Sequence, residues 1–382
     1  MSWKNRFNKK VRQMKAKNQV NKNKGKEKQK QTTVHHLIVL DESGSMRCIT
    51  KATILGCNET IQTIRMMQEQ SRDTQRHSVS IYLFNIMKSR YILKEESADR
   101  VREITETDYQ PHAGTPLYDA LGATLKDLKK IIGNSKETMG YVTIITDGYE
   151  NASYKYSLKT VKALIDELKE KNVIFTFIGA NIDAADYGRK FNINNTMQFE
   201  QTDEQTGAMW RREREARLRS NARFCFNEII SGDEMNIAAF SKAENSGNYY
   251  KKRDISSERI SPDMITSLNE NEIFVFGSNI YGEHNGGASA YALHYFGAIN
   301  GESEGLQGQA YAIPTDGVSL KELYAAVCRF CQFATDNPEL TFFVTRIGCG
   351  TAGWSVYNIA PMFADCANLS NVKLPKEFWD YI

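Results

Sequence analysis

The 382-residue chain has no run of about 18 apolar residues, and no apolar segment follows its basic beginning. These absences argue against a transmembrane helix and a secretory leader. Its seven cysteines are an odd number without ligand spacing; Cys328 and Cys331 form a CxxC, but within an amphipathic helical pattern and with no second pair. That argues against a disulfide framework, a metal site or a redox pair, and fits reduced thiols packed mostly in cores. The expected location is the cytoplasm, with no membrane partner. Acids and apolar residues are nearly missing from residues 1–31, which hold twelve Lys/Arg against the single acid Glu27. Such a segment cannot bury enough surface to fold alone, so residues 1–32 are expected to be a disordered basic tail. Its charge of +11 is offset by a remainder with 37 basic and 45 acidic residues, so the net +3 hides an asymmetry. A tail of this kind binds nucleic acid by releasing counterions, solubilises the chain, or docks on the acidic body. With only Trp3 and Phe7 it has too few rings for a stacking platform.

From residue 34 onward, strands and helices alternate. A strand over His35–Leu40, with the apolar run Leu37-Ile38-Val39-Leu40, leads to a helical pattern over 51–70, a strand over 79–84 and its hairpin partner over 90–93. A helix over 116–132, a strand over 141–146, a helix over 158–171 and a strand over 173–178 follow. This alternation predicts an α/β fold, a doubly wound and mostly parallel sheet covered on both faces. Asp41-Glu42-Ser43-Gly44-Ser45 follows the first strand, so three side-chain oxygens, from Asp41, Ser43 and Ser45, can converge at its carboxyl end, where open sheets place ligands. Thr115 sits in a loop just before a helix, and Asp147 follows the strand 141–146. Hydroxyl and carboxylate oxygens without sulfur or imidazole suit a hard divalent cation, Mg²⁺ first and Mn²⁺ or Ca²⁺ after it. The other reading is that these are Ser/Asp turn residues capping helices.

The set resembles the metal-ion-dependent adhesion site of von Willebrand factor A domains: a DxSxS element, a threonine in a later loop and an aspartate in a TDG turn. The runs Ile54–Ile61, Tyr109-Gln110-Pro111, Thr146–Ser153 and Ile178–Asn181 resemble a bacterial intracellular branch of that family. The resemblance covers residues 33–230 and implies a Rossmann-like sheet. It also implies metal ligation by Asp41, Ser43, Ser45, Thr115 and Asp147, and a protein partner that supplies an Asp or Glu carboxylate. The stretch Asp203–Ile230 is a charged helical pattern whose mixed signs, Arg211-Arg212-Glu213-Arg214-Glu215, suggest a solvated face. Residues 231–265, rich in turn formers around Lys251-Lys252-Arg253, read as a linker.

A second, smaller α/β domain is expected over 266–382. The strand Glu272–Phe276 runs into a glycine-rich stretch, Gly277–Ala290, that opens a helix, an arrangement that offers backbone N–H groups to phosphates. Phe342–Ile347 runs into a second glycine turn, Gly348-Cys349-Gly350-Thr351-Ala352-Gly353-Trp354. These residues resemble a short macro-domain-like module, which implies binding of ADP-ribose or a related NAD-derived nucleotide. By motif, Asn279 would approach the distal ribose. Gly286, Gly287 and Ala288 would line one side of the diphosphate. Gly348, Gly350, Thr351, Ala352 and Gly353 would line the other, with Trp354 packing on a ribose or base. The usual N-A-A-N of the first loop is here Gly277-Ser278-Asn279, and no aspartate follows the glycines as a hydrolytic base. Binding is therefore the first expectation. Glu283 and His284 are the candidates for catalysis, a loop glutamate orienting water on an anomeric carbon. Arg346 is read as an anchor for a neighbouring acidic helix end.

Three functional readings follow. One is a metal-dependent protein-interaction module joined to a nucleotide-binding domain. Another is an ADP-ribosyl hydrolase targeted by the first domain. The last is a nucleic-acid-associated scaffold that uses the basic tail.

Overall fold

In the computed structural model, residues 31–232, 235–253 and 255–382 are described. Residues 1–30 of the expected basic tail, with its nucleic-acid reading, and the turn residues Asp233 and Glu234 lie outside them, whereas Thr32, counted to the tail, opens the first strand. The first sheet comprises β1 (Thr32–Asp41), β2 (Gln75–Phe84), β3 (Arg90–Ser97), β4 (Thr138–Thr146), β5 (Val173–Ala180) and β6 (Asn195–Phe199), in the order β3-β2-β1-β4-β5-β6. All pairings are parallel except β2 with β3, the expected hairpin. The order reverses direction between β1 and β4, so the switch point of the sheet lies between the ends of Asp41 and Thr146.

Period-2 alternation sorts the strand side chains onto two cores. Leu37 and Val39 face a cluster with α2 (Leu117–Ile132), α3 (Leu158–Lys169) and α4 (Ala184–Phe191). Ile38 and Leu40 face the other, with α1 (Thr50–Gln70) and α5 (Asp203–Ser231). The close approach of α1 and α5 requires glycine at 56, where a Cβ would stand 2.1 Å from the Trp210 ring.

Helix α5 departs from the solvated face expected of it. Glu213 and Arg217 are fully buried and paired at 2.8 Å, since helical spacing turns positions 210, 213, 217 and 220 toward the sheet. Glu213 also accepts from the Thr143, Tyr249 and Tyr250 hydroxyls at 2.9, 3.0 and 2.6 Å. Past α5, helix α6 (Ile237–Ala243) and the turn after it pack on the same sheet. There Asn245 takes the Phe175 N–H at 3.0 Å and donates to the Val173 carbonyl at 2.8 Å.

A second, smaller α/β layer carries β7 (Glu272–Asn279), β8 (Gly305–Gln307), β9 (Ala310–Asp316), β10 (Thr341–Val344) and β11 (Val372–Lys373), in the order β11-β10-β7-β9-β8. Only the β8–β9 pair is antiparallel. Helix α7 (Gly287–Tyr295) follows the first glycine loop. Helix α8 (Leu320–Asp336) opens with a Ser319/Glu322 capping box and packs its apolar stripe on β9 and β10. The α5 helix touches both layers: Tyr357 donates to Asn221 Oδ1 at 2.6 Å, and Phe226 meets Tyr324 edge-on at 5.0 Å. No described helix is long and apolar enough to cross a membrane.

Candidate metal centre and glycine-lined cleft

At the carboxyl end of β1 the chain turns through Glu42–Ser45, and backbone bonds fix the turn. The Gly44 N–H donates to the Ala113 carbonyl at 2.9 Å, the His112 N–H to the Glu42 carbonyl at 2.8 Å, and the Tyr109 hydroxyl to the Asp41 carbonyl at 2.9 Å. Glu42, inside the motif, points away from its neighbours. Its carboxylate takes both arms of the Arg90 guanidinium, at 2.6 and 3.2 Å, and the Gln110 N–H at 2.8 Å. It anchors the loops.

The structure brings the five sequence-predicted oxygens together. Ser43 and Ser45 hydroxyls lie 3.0 Å apart and both donate to Asp147 Oδ1, at 3.3 and 2.8 Å. Asp41 takes the Ser43 N–H at 2.7 Å on one oxygen and the Thr146 hydroxyl at 2.5 Å on the other. Thr115 is buried against the Asp147 turn; its Oγ1 lies 2.6 Å from where a Cβ on Gly148 would stand, so only glycine leaves it that place. Asn151 holds Thr115 from the far side, its Oδ1 accepting the Thr115 N–H at 3.1 Å. Ser45 is the exposed member, so the cluster opens to solvent there.

Electrostatics favours a cation among these groups. Asp41 is fully buried, and burial pushes its carboxyl up to about 7 against the opposing bonds from Thr146 and Ser43, with the Asp147 charge adding to the rise. Two carboxylates and three hydroxyls, without His or Cys, are a hard-oxygen donor set of the kind Mg²⁺, Mn²⁺ or Ca²⁺ takes. No group of three or more His, Cys, Asp or Glu that could hold a metal exists among the described residues.

Sequence reasoning did not single out Thr146 or Gln201. The Gln201 amide, just past β6, donates to Asp147 Oδ2 and to the Ser45 carbonyl. A lone glutamine in a polar loop carries no motif. The period-2 apolar signal of β6 is also too short to place it. Near the centre, Ile86 is exposed against the Gly114 turn, and Tyr149 is exposed two residues past Asp147.

In the second layer, the carboxyl ends of β7, β9 and β10 wall a cleft of about 550 Å³. Asn279, Glu283, Gly286, Gly287, Ala288, Gly348, Gly350, Thr351 and Ala352 line it, as do Thr315, Asp316 and Arg346. Asn279 is partly engaged by its own loop: its Oδ1 accepts the Tyr281 and Glu283 N–H groups at 3.0 Å each, and its Nδ2 donates to Glu283 at 3.3 Å. Three expected residues do not line the cleft. Gly353 lies beyond it at φ +75°. Trp354 turns behind the wall, where its Nε1 donates to the Thr315 carbonyl at 3.0 Å. His284 is 1% exposed, edge-on to the Phe276 ring at 5.1 Å, and neither ring nitrogen has a hydrogen-bond partner. Arg346 pairs with Glu377 at 3.5 Å, the anchoring contact expected of it.

No family model matches this chain, and no curated protein does. Among solved structures it is similar to the pilus adhesin SpaC from Lactobacillus rhamnosus GG in its open conformation, at 11% identity and a TM-score of 0.36, over 49% of this chain and 30% of that one. It is also similar to the manganese-loaded TRAP protein of Plasmodium vivax, at 17% identity and a TM-score of 0.32, over 47% of this chain and 72% of that one. A third is proximal thread matrix protein 1 from the mussel byssus with a zinc-occupied MIDAS motif, at 10% identity and a TM-score of 0.36, over 69% of this chain and 57% of that one.

Proposed function

We propose that the first sheet carries a metal-dependent protein-interaction site of the von Willebrand factor A type, with Asp41, Ser43, Ser45, Thr115 and Asp147 holding a divalent cation. The observation that carries this reading is the convergence of those five residues from three separate loops at the switch point of the sheet. A bound cation supplies an open coordination position for a partner's Asp or Glu. The chain's own residues set its charge and place: Asp41 and Asp147 bring the negative charge, the serines orient Asp147, and Arg90 of β3 and the Gln110 N–H tie down Glu42 within the loop. The exposed Ile86 and Tyr149 give a partner apolar surface beside that position. Calorimetric titration of Mg²⁺ into the full chain tests this. Saturable binding lost in Asp41→Ala and Asp147→Ala is expected; no binding of Mg²⁺, Mn²⁺ or Ca²⁺ would overturn it.

The second layer supports a further reading, that the cleft takes ADP-ribose or a related NAD-derived nucleotide. Both glycine loops wall one cleft of a size suited to such a ligand, with the start of helix α7 at its edge. Binding is the reading favoured over hydrolysis. Of the two catalytic candidates, Glu283 lies at the cleft and His284 is buried away from it; Asp316 also lines the cleft, and a water-activating step would need one of these carboxylates positioned as base. Release of ADP-ribose from modified protein, lost in Glu283→Gln, would establish the hydrolase in its place.

A further inference from the structure

The charges of Arg211-Arg212-Glu213-Arg214-Glu215 alternate along α5 but are sorted in space. Glu213 turns into the core, and Arg214 turns to Glu59 of α1. The outer face retains Arg211, Arg212 and Glu215, and one turn on follows the buried Arg219. With Tyr250 and Lys252 from the following segment they line a cleft of about 460 Å³.

Arg219 is the unusual member. It is 3% exposed, its Nε is buried without a partner, and it makes no hydrogen bond or ion pair among the described residues. Arg211, exposed at the rim, makes none either, and Arg212 lies over the Tyr250 ring, 5.6 Å from its centroid. Acids nearby compensate them only in part: the charges of Glu215 and Glu244 favour the charged form of Arg219, less than burial opposes it, and neither carboxylate hydrogen-bonds it. Among the described residues Glu215 is the one carboxylate on the cleft wall, Glu244 pairs with Arg223 at 2.8 Å through one oxygen and keeps its other, buried oxygen without a partner, and Lys252 already pairs with Asp380 at 2.9 Å. A buried guanidinium without a hydrogen-bonded counter-charge is unfavourable, and helical spacing holds two more beside it. Burial and the neighbouring Arg223 both disfavour the charged form of Arg219. An anion in the cleft would reverse that penalty.

We propose that this cleft binds a small, multiply charged oxyanion of the phosphate-ester class, gripped by Arg211, Arg212 and Arg219. Forked guanidinium donors match phosphoryl oxygens in pairs, and three of them against one carboxylate leave an excess charge that a single carboxylate ligand would not neutralise. The volume accommodates a nucleotide-sized molecule. None of these residues belongs to the metal centre or to the glycine-lined cleft, so the proposal stands apart from both.

The test is calorimetric titration of pyrophosphate, ATP and AMP into the full chain at physiological salt, with chelator present so that no metal mediates phosphate binding. Saturable binding of pyrophosphate or ATP is expected, weakened about tenfold or more in Arg211→Glu and in Arg219→Gln. Arg211 is exposed, so its charge reversal keeps the fold, checked by circular dichroism, even if Arg219→Gln does not. ATP binding tighter than pyrophosphate would identify a nucleotide; equal affinities would identify the free diphosphate. No saturable binding, or affinity unaffected by Arg211→Glu, overturns the proposal. So does binding of a single-stranded oligonucleotide when none of the three small anions binds.

Discussion

The hydroxyl of Thr146 donates to Oδ2 of Asp41 at 2.5 Å, across the switch point between β4 and β1. The residue before the second carboxylate thus orients the first. Removing a donor to a buried carboxylate costs about 1.5–3 kcal/mol. Thr146→Val, nearly the same shape, is expected to weaken Mg²⁺ affinity by about tenfold or more while the sheet stays folded. A Mg²⁺ titration of the variant that matches the wild type would reduce Thr146 to a turn anchor.

Four of the five clustered oxygens were legible because Asp41, Ser43, Ser45 and Asp147 follow strand patterns, three of them alternating along one turn, while Thr115 stood out only in a loop just before a helix. The parallel sheet was legible for the same reason, from apolar runs separated by helical patterns. What was not legible depends on partners distant in sequence. Glu213 reads as a surface charge until Arg217, Thr143, Tyr249 and Tyr250 are placed around it. Trp354 reads as a platform for a ligand until its indole is seen to reach the Thr315 carbonyl. His284 reads as a loop residue, yet it is buried against Phe276.

The buried Glu213–Arg217 pair makes its own prediction. Truncating one partner strands the other charge together with the three hydroxyls that donate to Glu213. Breaking a buried pair in this way costs about 3–5 kcal/mol. Glu213→Ala should therefore shift the urea midpoint strongly, with an unchanged slope. The double change Glu213→Leu with Arg217→Met should recover much of the loss. A double variant as unstable as the sum of its parts would show that hydroxyl satisfaction, not the stranded charge, dominates.

Glu228, near the end of α5, gives a pH dependence. Burial raises its carboxyl to about 7, against opposing hydrogen bonds from Thr32 and Gln75. The folded chain therefore keeps a proton that the unfolded chain releases above the ordinary value of 4.5. In that window the native state binds more protons, so its contribution to stability is present at low pH and is lost as pH rises toward 7. The slope is at most about 1.4 kcal/mol per pH unit. Glu228→Gln should be flatter than wild type between these values and more stable than it above pH 7. Parallel stability curves for the two proteins would show that Glu228 is ionised throughout.

Gly350 separates the glycine-lined cleft from the fold that builds it. A Cβ on Gly277 would stand 2.8 Å from Thr315 Oγ1, so a substitution there disturbs the sheet as well as the site. At Gly350 no atom lies within 4 Å of the added carbon, and the residue lines the cleft. A glutamate there enters open space and brings a negative charge to where a diphosphate would lie. Gly350→Glu should change the unfolding free energy by no more than about 0.5 kcal/mol and abolish ADP-ribose binding in a calorimetric titration of the full chain. A variant that folds and still binds ADP-ribose places the ligand elsewhere. If the wild type gives no heat with ADP-ribose, NAD or AMP, the glycines are turn formers, because the same positive φ that frees backbone donors at Gly287 and Gly348 also reverses a chain between strand and helix.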